Sequence, residues 1–362
     1  MKSYFLTMVF FLLTLMGPRF EVNAKEAPIQ QLGNQVIAMA LKKLNADPNS
    51  TDLACLTNAG YVLYKKKSTL PLLDTVSQKT QISIGNKNLL QVHSNSSESL
   101  WFAFIKKKSP KELLLTYIEP TPKSIKITNP LNVYVKIGQS FDRFEEVLGL
   151  KAFTLVTFAN GWADKIPQDL MEGALWHDHL CSGVFSGFFS VNFIRKHLSR
   201  EKEEKYIYIG APAWCQDDYI MRVLNLTPGK HGYYTMAYPW SRPWTTAEKS
   251  YPQLGGILIR FNSASQTGDA SLLRFDWHEE DFKAFIGKPR LELNWKKDRW
   301  LHIWYNRFFL RHLNQPEFFV SILKTKKLNS QQDLNCLVDM GANPLEQILG
   351  PDPKWVPERK QG

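Results

Sequence analysis

The stretch Trp176-His177-Asp178-His179-Leu180-Cys181-Ser182-Gly183 sets three metal-type ligands within five residues and runs straight into a stripe of Val184, Phe188, Val191, Ile194 and Leu198 at helical spacing. Imidazole nitrogen and thiolate sulfur suit zinc or another late transition metal. A His-x-His-x-Cys run needs an extended or turning backbone, because alternate residues share one side only outside a helix. It predicts a loop that ends where a helix begins. The free N–H groups and positive dipole end of that helix favour a thiolate at Cys181.

Cys215 stands three residues after Pro212, a residue favoured in the first turn of a helix, which places a second thiol at a second helix start. If the two starts converge, His177, Cys181 and Cys215 form a three-ligand site with an open coordination position, and His179 is the reserve ligand. Asp218, one turn beyond Cys215, has three available uses: to bind metal, to orient a histidine, or to favour the first turn through the dipole. His179 and Asp218 are also the candidate proton carriers of any catalysed reaction. Further on, Gly229, Lys230, His231 and Gly232 form a turn whose glycines permit close backbone approach to a ligand and whose lysine adds a cation. That turn lacks the first glycine and the Ser or Thr of a P-loop. His197, His278, His302 and His312 are scattered at spacings that suggest nothing, and they read as surface or satisfied core residues.

Outward from the motif, the chain reads as two similar halves. A helix over Gln31–Leu44, a strand-like run over Leu53–Tyr64, a helix over Leu70–Thr80 and strands over Leu89–Val92 and Leu100–Ile105 give one order of elements. The same order recurs as a helix at Val184–Leu198, a strand at Tyr206–Ile209, a helix at Pro212–Leu226 and strands at Tyr233–Tyr238 and Ile257–Phe261. The second helices align without a gap when Asp74 is laid on Asp218. This predicts an α+β fold of two related helix–strand–helix–strand units paired in one chain: 25–145 without the metal motif and 146–268 with it. Residues 269–362 predict a C-terminal helical extension, marked by the stripe Trp300, Trp304, Phe308 and Arg311, and then a proline-rich tail. An internal pair of units predicts a monomer. The segment Thr57-Asn58-Ala59-Gly60 holds the loop position of Gly210–Trp214. Asn58, with His93 at the end of its strand, is therefore the expected contribution of the first unit to a ligand site.

The 362 residues, 44% hydrophobic and 22% charged, are enough for about two packed domains. Basic residues exceed acidic ones, 45 against 34. Much of the excess sits in short runs such as Lys65-Lys66-Lys67 and Lys106-Lys107-Lys108, the pattern of solvated turns, and no nucleic-acid recognition motif is present. Lys2, the apolar run Phe5–Met16 and Val22-Asn23-Ala24 read as a secretory signal over 1–24, so the expected location is secreted or periplasmic. No later stretch reads as a membrane span, since even Trp300–Val320 is interrupted by Arg307, Arg311, His312 and Glu317. In an exported chain Cys55, Cys181, Cys215 and Cys336 are open to oxidation. Disulfide chemistry between Cys181 and Cys215, structural or as thiol–disulfide exchange, is therefore the rival to metal. Trp162, Trp176, Trp214, Trp240 and Trp244 cluster around the motifs and offer walls for a flat ligand.

Taken together, His177-x-His179-x-Cys181-x-Gly183, Cys215-x-x-Asp218 and Thr227-x-Gly229-Lys230-x-Gly232 resemble the FmdE family, named after a component of formylmethanofuran dehydrogenase. The resemblance covers about Gln168–Ser263, with a fainter echo over Gln31–Lys107. It implies a compact α+β fold that pairs two copies and a bound transition metal, often zinc, with His177, Cys181 and Cys215 as ligands. The sequence departs from the family pattern at Asp178 (glycine), Ser182 (proline), Tyr219 (alanine), Leu226 (cysteine) and His231 (glycine). No molybdopterin or iron–sulfur motif is present. The implied function is that of an exported metal-binding protein that binds or acts on a small ligand, with capture of metal or ligand for a transporter as an alternative.

Overall fold

The computed structural model describes residues 28–236, 244–245, 250–251 and 254–351; the expected leader over 1–24 and Trp240 lie outside them. Apolar residues at helical spacing make α1 (Pro28–Leu44), which buries Leu32, Val36, Ile37, Ala40 and Leu44. The fully buried β1 (Leu53–Thr57) follows, and the chain then leaves the sheet for a short hairpin, β2 (Leu63–Tyr64) and β3 (Lys67–Ser68). The strand expected to reach Tyr64 stops at Thr57 because the loop is closed by side chains. The Thr57 hydroxyl accepts the Ala59 N–H at 3.0 Å, and Asn58 Oδ1 accepts the Trp101 N–H at 2.9 Å. Next come α2 (Pro71–Lys79), β4 (Leu89–Gln91), β5 (Phe102–Ser109), β6 (Glu112–Pro120), β7 (Ile125–Ile127) and β8 (Leu131–Asn132).

Three helices, α3 (Asp142–Leu148), α4 (Ala152–Ala163) and α5 (Gln168–Trp176), lead to the second run. It consists of α6 (Ser182–His197), β9 (Glu204–Gly210), α7 (Cys215–Val223), β10 (Tyr233–Thr235), a small pair β11 (Trp244–Thr245) and β12 (Ser250–Tyr251), β13 (Leu254–Asn262) and β14 (Thr267–Phe275). The C-terminal part holds α8 (Glu279–Phe285), α9 (Trp300–Phe309), α10 (Pro316–Phe319), β15 (Val320–Leu328), α11 (Gln331–Val338) and α12 (Pro344–Leu349). Among the described residues no helix is long and apolar enough to cross a membrane.

The fold is α+β, with two main sheets of the same plan. One runs β4-β1-β5-β6-β7 and the other β10-β9-β13-β14-β15. In each, the first pair is parallel and the next two are antiparallel. The helices cross alike as well. A Cβ on Gly33 of α1 would stand 2.8 Å from Thr75 and 3.1 Å from Leu72, and one on Gly187 of α6 would stand 2.6 Å from the Gln216 carbonyl oxygen and 2.8 Å from Tyr219. Laying Asp74 on Asp218 makes Leu72 equivalent to Gln216 and Thr75 to Tyr219, so each unit packs its helix pair through a glycine at matching positions. The boundaries read from sequence at 145 and 268 fall inside α3 and β14, which continue across them. The extension is also more than helical, because β15 pairs with β14 along the edge of the second sheet.

Both faces of each sheet are covered. Cys55, Phe102 and Phe104 pack under α1 and α2, while Ala54, Leu56, Ala103 and Ile105 face a larger core shared with α4, α6, α9 and the Tyr208, Leu258 and Leu273 side of the second sheet. The opposite side of that sheet, with Ile207, Ile209, Ile257 and Ile259, is closed by Leu334, Leu337, Leu345 and Ile348 of α11 and α12. Two-sided burial explains why β1 reads as continuously apolar.

A half-buried cation ties α9 into this core. Arg307 donates to Asp164 Oδ2 at 2.8 Å, Asn160 Oδ1 at 3.0 Å and the Val135 carbonyl at 3.1 Å, with its guanidinium over the Tyr134 and Trp304 rings at 4.7 and 4.8 Å. Replacing it by alanine strands the Asp164 carboxylate and removes the stacked plane. Arg307→Ala should lower stability by roughly 3 kcal/mol, read as a shift of the urea midpoint with unchanged slope. Arg307→Lys should recover less than half, since an ammonium has no planar fork.

Candidate metal centre

Helix α5 ends at Trp176, and the His177 N–H still reaches back to the Gly173 carbonyl at 3.1 Å. Asp178 then takes a left-handed conformation, φ 71°. This is a backbone position that glycine adopts without steric penalty and aspartate tolerates, which accounts for both residues at that place in the motif. The turn brings the His177 and His179 rings to 4.3 Å between centroids. Leu180, fully buried, anchors the loop, its N–H donating to Thr157 Oγ1 of α4 at 3.2 Å. Cys181 resumes an extended conformation, φ −110° and ψ 169°, and opens α6.

Cys215 is the first residue of α7, whose start is held by the Asp217 carboxylate accepting the Trp214 N–H at 2.9 Å. The two helix starts meet because α6 presents glycine there. A Cβ on Gly183 would stand 2.7 Å from Cys215 Cβ, too close for any side chain. As a result the ligand atoms of His177, His179, Cys181 and Cys215 all lie within 4.8 Å of one another, in a group that could hold a metal ion. The expected three-ligand set is thus brought together, and the kink at Asp178 sets His179, the reserve ligand, beside it. Cys181 and Cys215 are both free thiols.

Each imidazole is oriented by a carboxylate. His177 Nδ1 is 2.6 Å from Asp218 Oδ2, and His179 Nδ1 is 2.7 Å from Asp178 Oδ1. Of the three uses open to Asp218, the geometry shows the orienting one. With Nδ1 engaged, Nε2 is left as the donor of each ring, and His177 Nε2 is buried with no hydrogen-bond partner. The protons are shared unevenly. A hydrogen bond from Cys181, opposed by burial and reinforced by His177 and His179, holds the Cys215 thiol far below its usual range. That same bond, together with burial, pushes Cys181 up. Burial pulls His177 down, but the bond to Asp218 and the nearby Cys215 outweigh it and raise the ring to about 9.

The remaining candidates are placed elsewhere. The Gly229, Lys230, His231, Gly232 turn follows the C-terminal end of α7, about 13 Å along the helix from Cys215. Three of its residues are exposed, and Lys230 bonds Asn225. Asn58 is fully buried, and its amide is used within the first unit, on the Trp101 N–H and the Ser99 carbonyl. His93 comes nearer: its N–H bonds the Leu175 carbonyl at 2.9 Å, and its ring lies between Tyr61 (4.9 Å) and Trp176 (6.0 Å), next to His177 in the chain. Of the tryptophans, Trp214 packs on Trp277 at 5.6 Å.

One residue at the centre carried no signal in the sequence. His302 of α9 places Nδ1 3.0 Å from Ser182 Oγ, 120 positions away, and only the packing of α9 on α6 joins them.

Residues 176–292 match the FmdE family model, whose description is "Molybdenum formylmethanofuran dehydrogenase operon". Over these residues the chain is similar to the FmdE family. The FmdE segment contains all four donors and Asp218, and it ends before His302. No curated protein matches the chain.

The FmdE donor geometry depends on helix contact, which gives a test independent of metal. Gly187→Ala must displace the Gln216 backbone. It should lower stability by about 1–3 kcal/mol and speed reaction of Cys215 with a disulfide reagent, measured on a background lacking Cys336.

Proposed function

We propose that this protein is an exported transition-metal-binding protein of FmdE type, with zinc as the ion its donors suit best and a small ligand approaching that ion. The observation that carries the reading is the meeting of two imidazoles and two thiols within 4.8 Å, each imidazole held by a carboxylate through Nδ1. The donor set fits such an ion: nitrogen with thiolate sulfur is the preference of zinc. His177 Nε2, buried without a hydrogen-bond partner, is also an atom that a metal bond would satisfy. A bound zinc ion would supply a Lewis-acid centre able to polarise an oxygen atom of a ligand.

The chain's own residues do the preparatory work. Asp218 and Asp178 orient His177 and His179, Cys215 at the start of α7 is held as a thiolate beside Cys181, and Leu180 with Thr157 keeps the loop in place. The apolar run behind Lys2 supports export. The matching strand orders and glycine crossings support a tandem duplication in which the first unit kept the scaffold without the donors, and a monomer that contains its own pair. A second reading, thiol–disulfide exchange, draws on the nearness of the Cys181 and Cys215 sulfurs.

The test is metal analysis of protein purified from the exported fraction, with a thiol count on the same sample. About one transition-metal ion per chain is expected, lost on Cys181→Ala or Cys215→Ala. Asp218→Asn should keep the ion but release it to a chelator roughly 10- to 100-fold more readily. Metal-free protein with a Cys181–Cys215 disulfide would overturn the metal reading in favour of disulfide chemistry, structural or exchanging.

A further inference from the structure

Helix α9, beyond the FmdE segment, brings an additional imidazole to the edge of the four-donor group. His302 Nδ1 lies 3.0 Å from the hydroxyl of Ser182, the residue that follows Cys181 at the start of α6. The His302 ring packs against Phe153 at 5.3 Å and Trp295 at 5.1 Å, and Phe153 packs equally on His179 at 5.2 Å. One phenyl ring thus touches both imidazoles. The FmdE pattern has proline where Ser182 stands, so the hydroxyl that holds His302 is a departure of this chain.

We propose that His302 is a ligand-binding residue of the centre: Ser182 holds it through Nδ1, and its Nε2–H donates a hydrogen bond to a small carboxylate or other oxyanion that reaches the metal. The proposal rests on the metal-binding reading above. Burial, reinforced by His179, pulls the His302 ring down to about 4, so the imidazole is neutral at neutral pH and carries one hydrogen. When the Ser182 hydroxyl donates to Nδ1, that hydrogen is on Nε2. Nε2 makes no hydrogen bond among the described residues, and it is not one of the sealed polar atoms.

The sign of the ligand follows from the backbone. Cys181 and Cys215 sit at the starts of α6 and α7, and His302 lies in the first turn of α9, so three positive helix ends contribute residues to the same place. Arg299, just before α9, sets its guanidinium 5.7 Å from the Phe153 centroid, although it is paired with Glu145 at 2.8 Å. The two nearby carboxylates, Asp178 and Asp218, are engaged by His179 and His177. An anion is therefore favoured over a neutral or cationic ligand.

The experiment uses the full chain loaded with cobalt(II), whose visible absorption reports changes at the metal, titrated with azide and with acetate. Wild type should show saturable spectral changes. His302→Ala should weaken anion binding about tenfold or more while retaining one cobalt per chain, and Ser182→Ala should give a smaller loss. His302→Gln, which keeps an N–H near the position of Nε2, should recover part of the affinity. Unchanged anion affinity in His302→Ala would overturn the proposal, as would cobalt-loaded wild type that is indifferent to both anions. Loss of cobalt from His302→Ala would overturn it too, by making His302 part of the metal's own support. A wild type that binds no cobalt would instead overturn the metal-binding reading itself.

Discussion

The close contact of α6 with α7 is the constraint on which the centre depends. Helices that meet through large side chains run about 8–10 Å apart, which would part the two helix starts and the sulfurs they carry. Gly183 and Gly187 remove the side chains along the crossing, so backbone meets backbone, and Cys181 and Cys215 become neighbours although 34 positions separate them. The first unit uses the same device at Gly33, yet its second helix opens at Pro71 where the other opens at Cys215. The scaffold is thus present twice and the donor group once among the described residues, a case of chemistry placed on a fold and not implied by it.

Proximity of the helix starts would achieve little without the loop between α5 and α6. Asp178 turns the chain, Leu180 fastens it to the core, and the two histidines are left on one side with their Nδ1 atoms held. Elements outside the FmdE segment brace this loop on both flanks. Thr157 of α4 accepts the Leu180 N–H, and Asn306 of α9 reaches the Leu180 carbonyl at 3.5 Å. Arg307 in turn binds α9 to α4, so the helices that hold the loop are themselves locked together. The extension is therefore part of the centre's support, which explains why its aromatic face is buried: Phe309 packs on Phe185 and Phe189 of α6 at 5.5 and 5.6 Å.

Much of this was legible along the chain. Periodicity located α1, α6 and α9, and the order of elements predicted two units of one plan. Helix signals beside Cys181 and Cys215 placed both thiols at helix starts and left the convergence of those starts as a condition. These features are local, set by side-chain period and by the residues helix starts prefer, and local features survive in a linear reading. The same local logic singled out the Gly229–Gly232 turn, whose composition suits a ligand; its place beyond the far end of α7 follows from helix direction.

Other features exist only because remote segments pack. His179 joins the donors through a left-handed residue that sequence pattern leaves unmarked, since aspartate occupies that conformation less readily than glycine. Asp218 had three uses, and its distance from His177 chose one. His302 met Ser182 across 120 positions through the burial of α9 against α6, and no periodicity records that distance. Residue types and spacings determined the kind of chemistry this chain can carry. Which side chains share one small volume was decided by helix packing, because contact between distant segments depends on burial and shape, which a one-dimensional pattern does not contain.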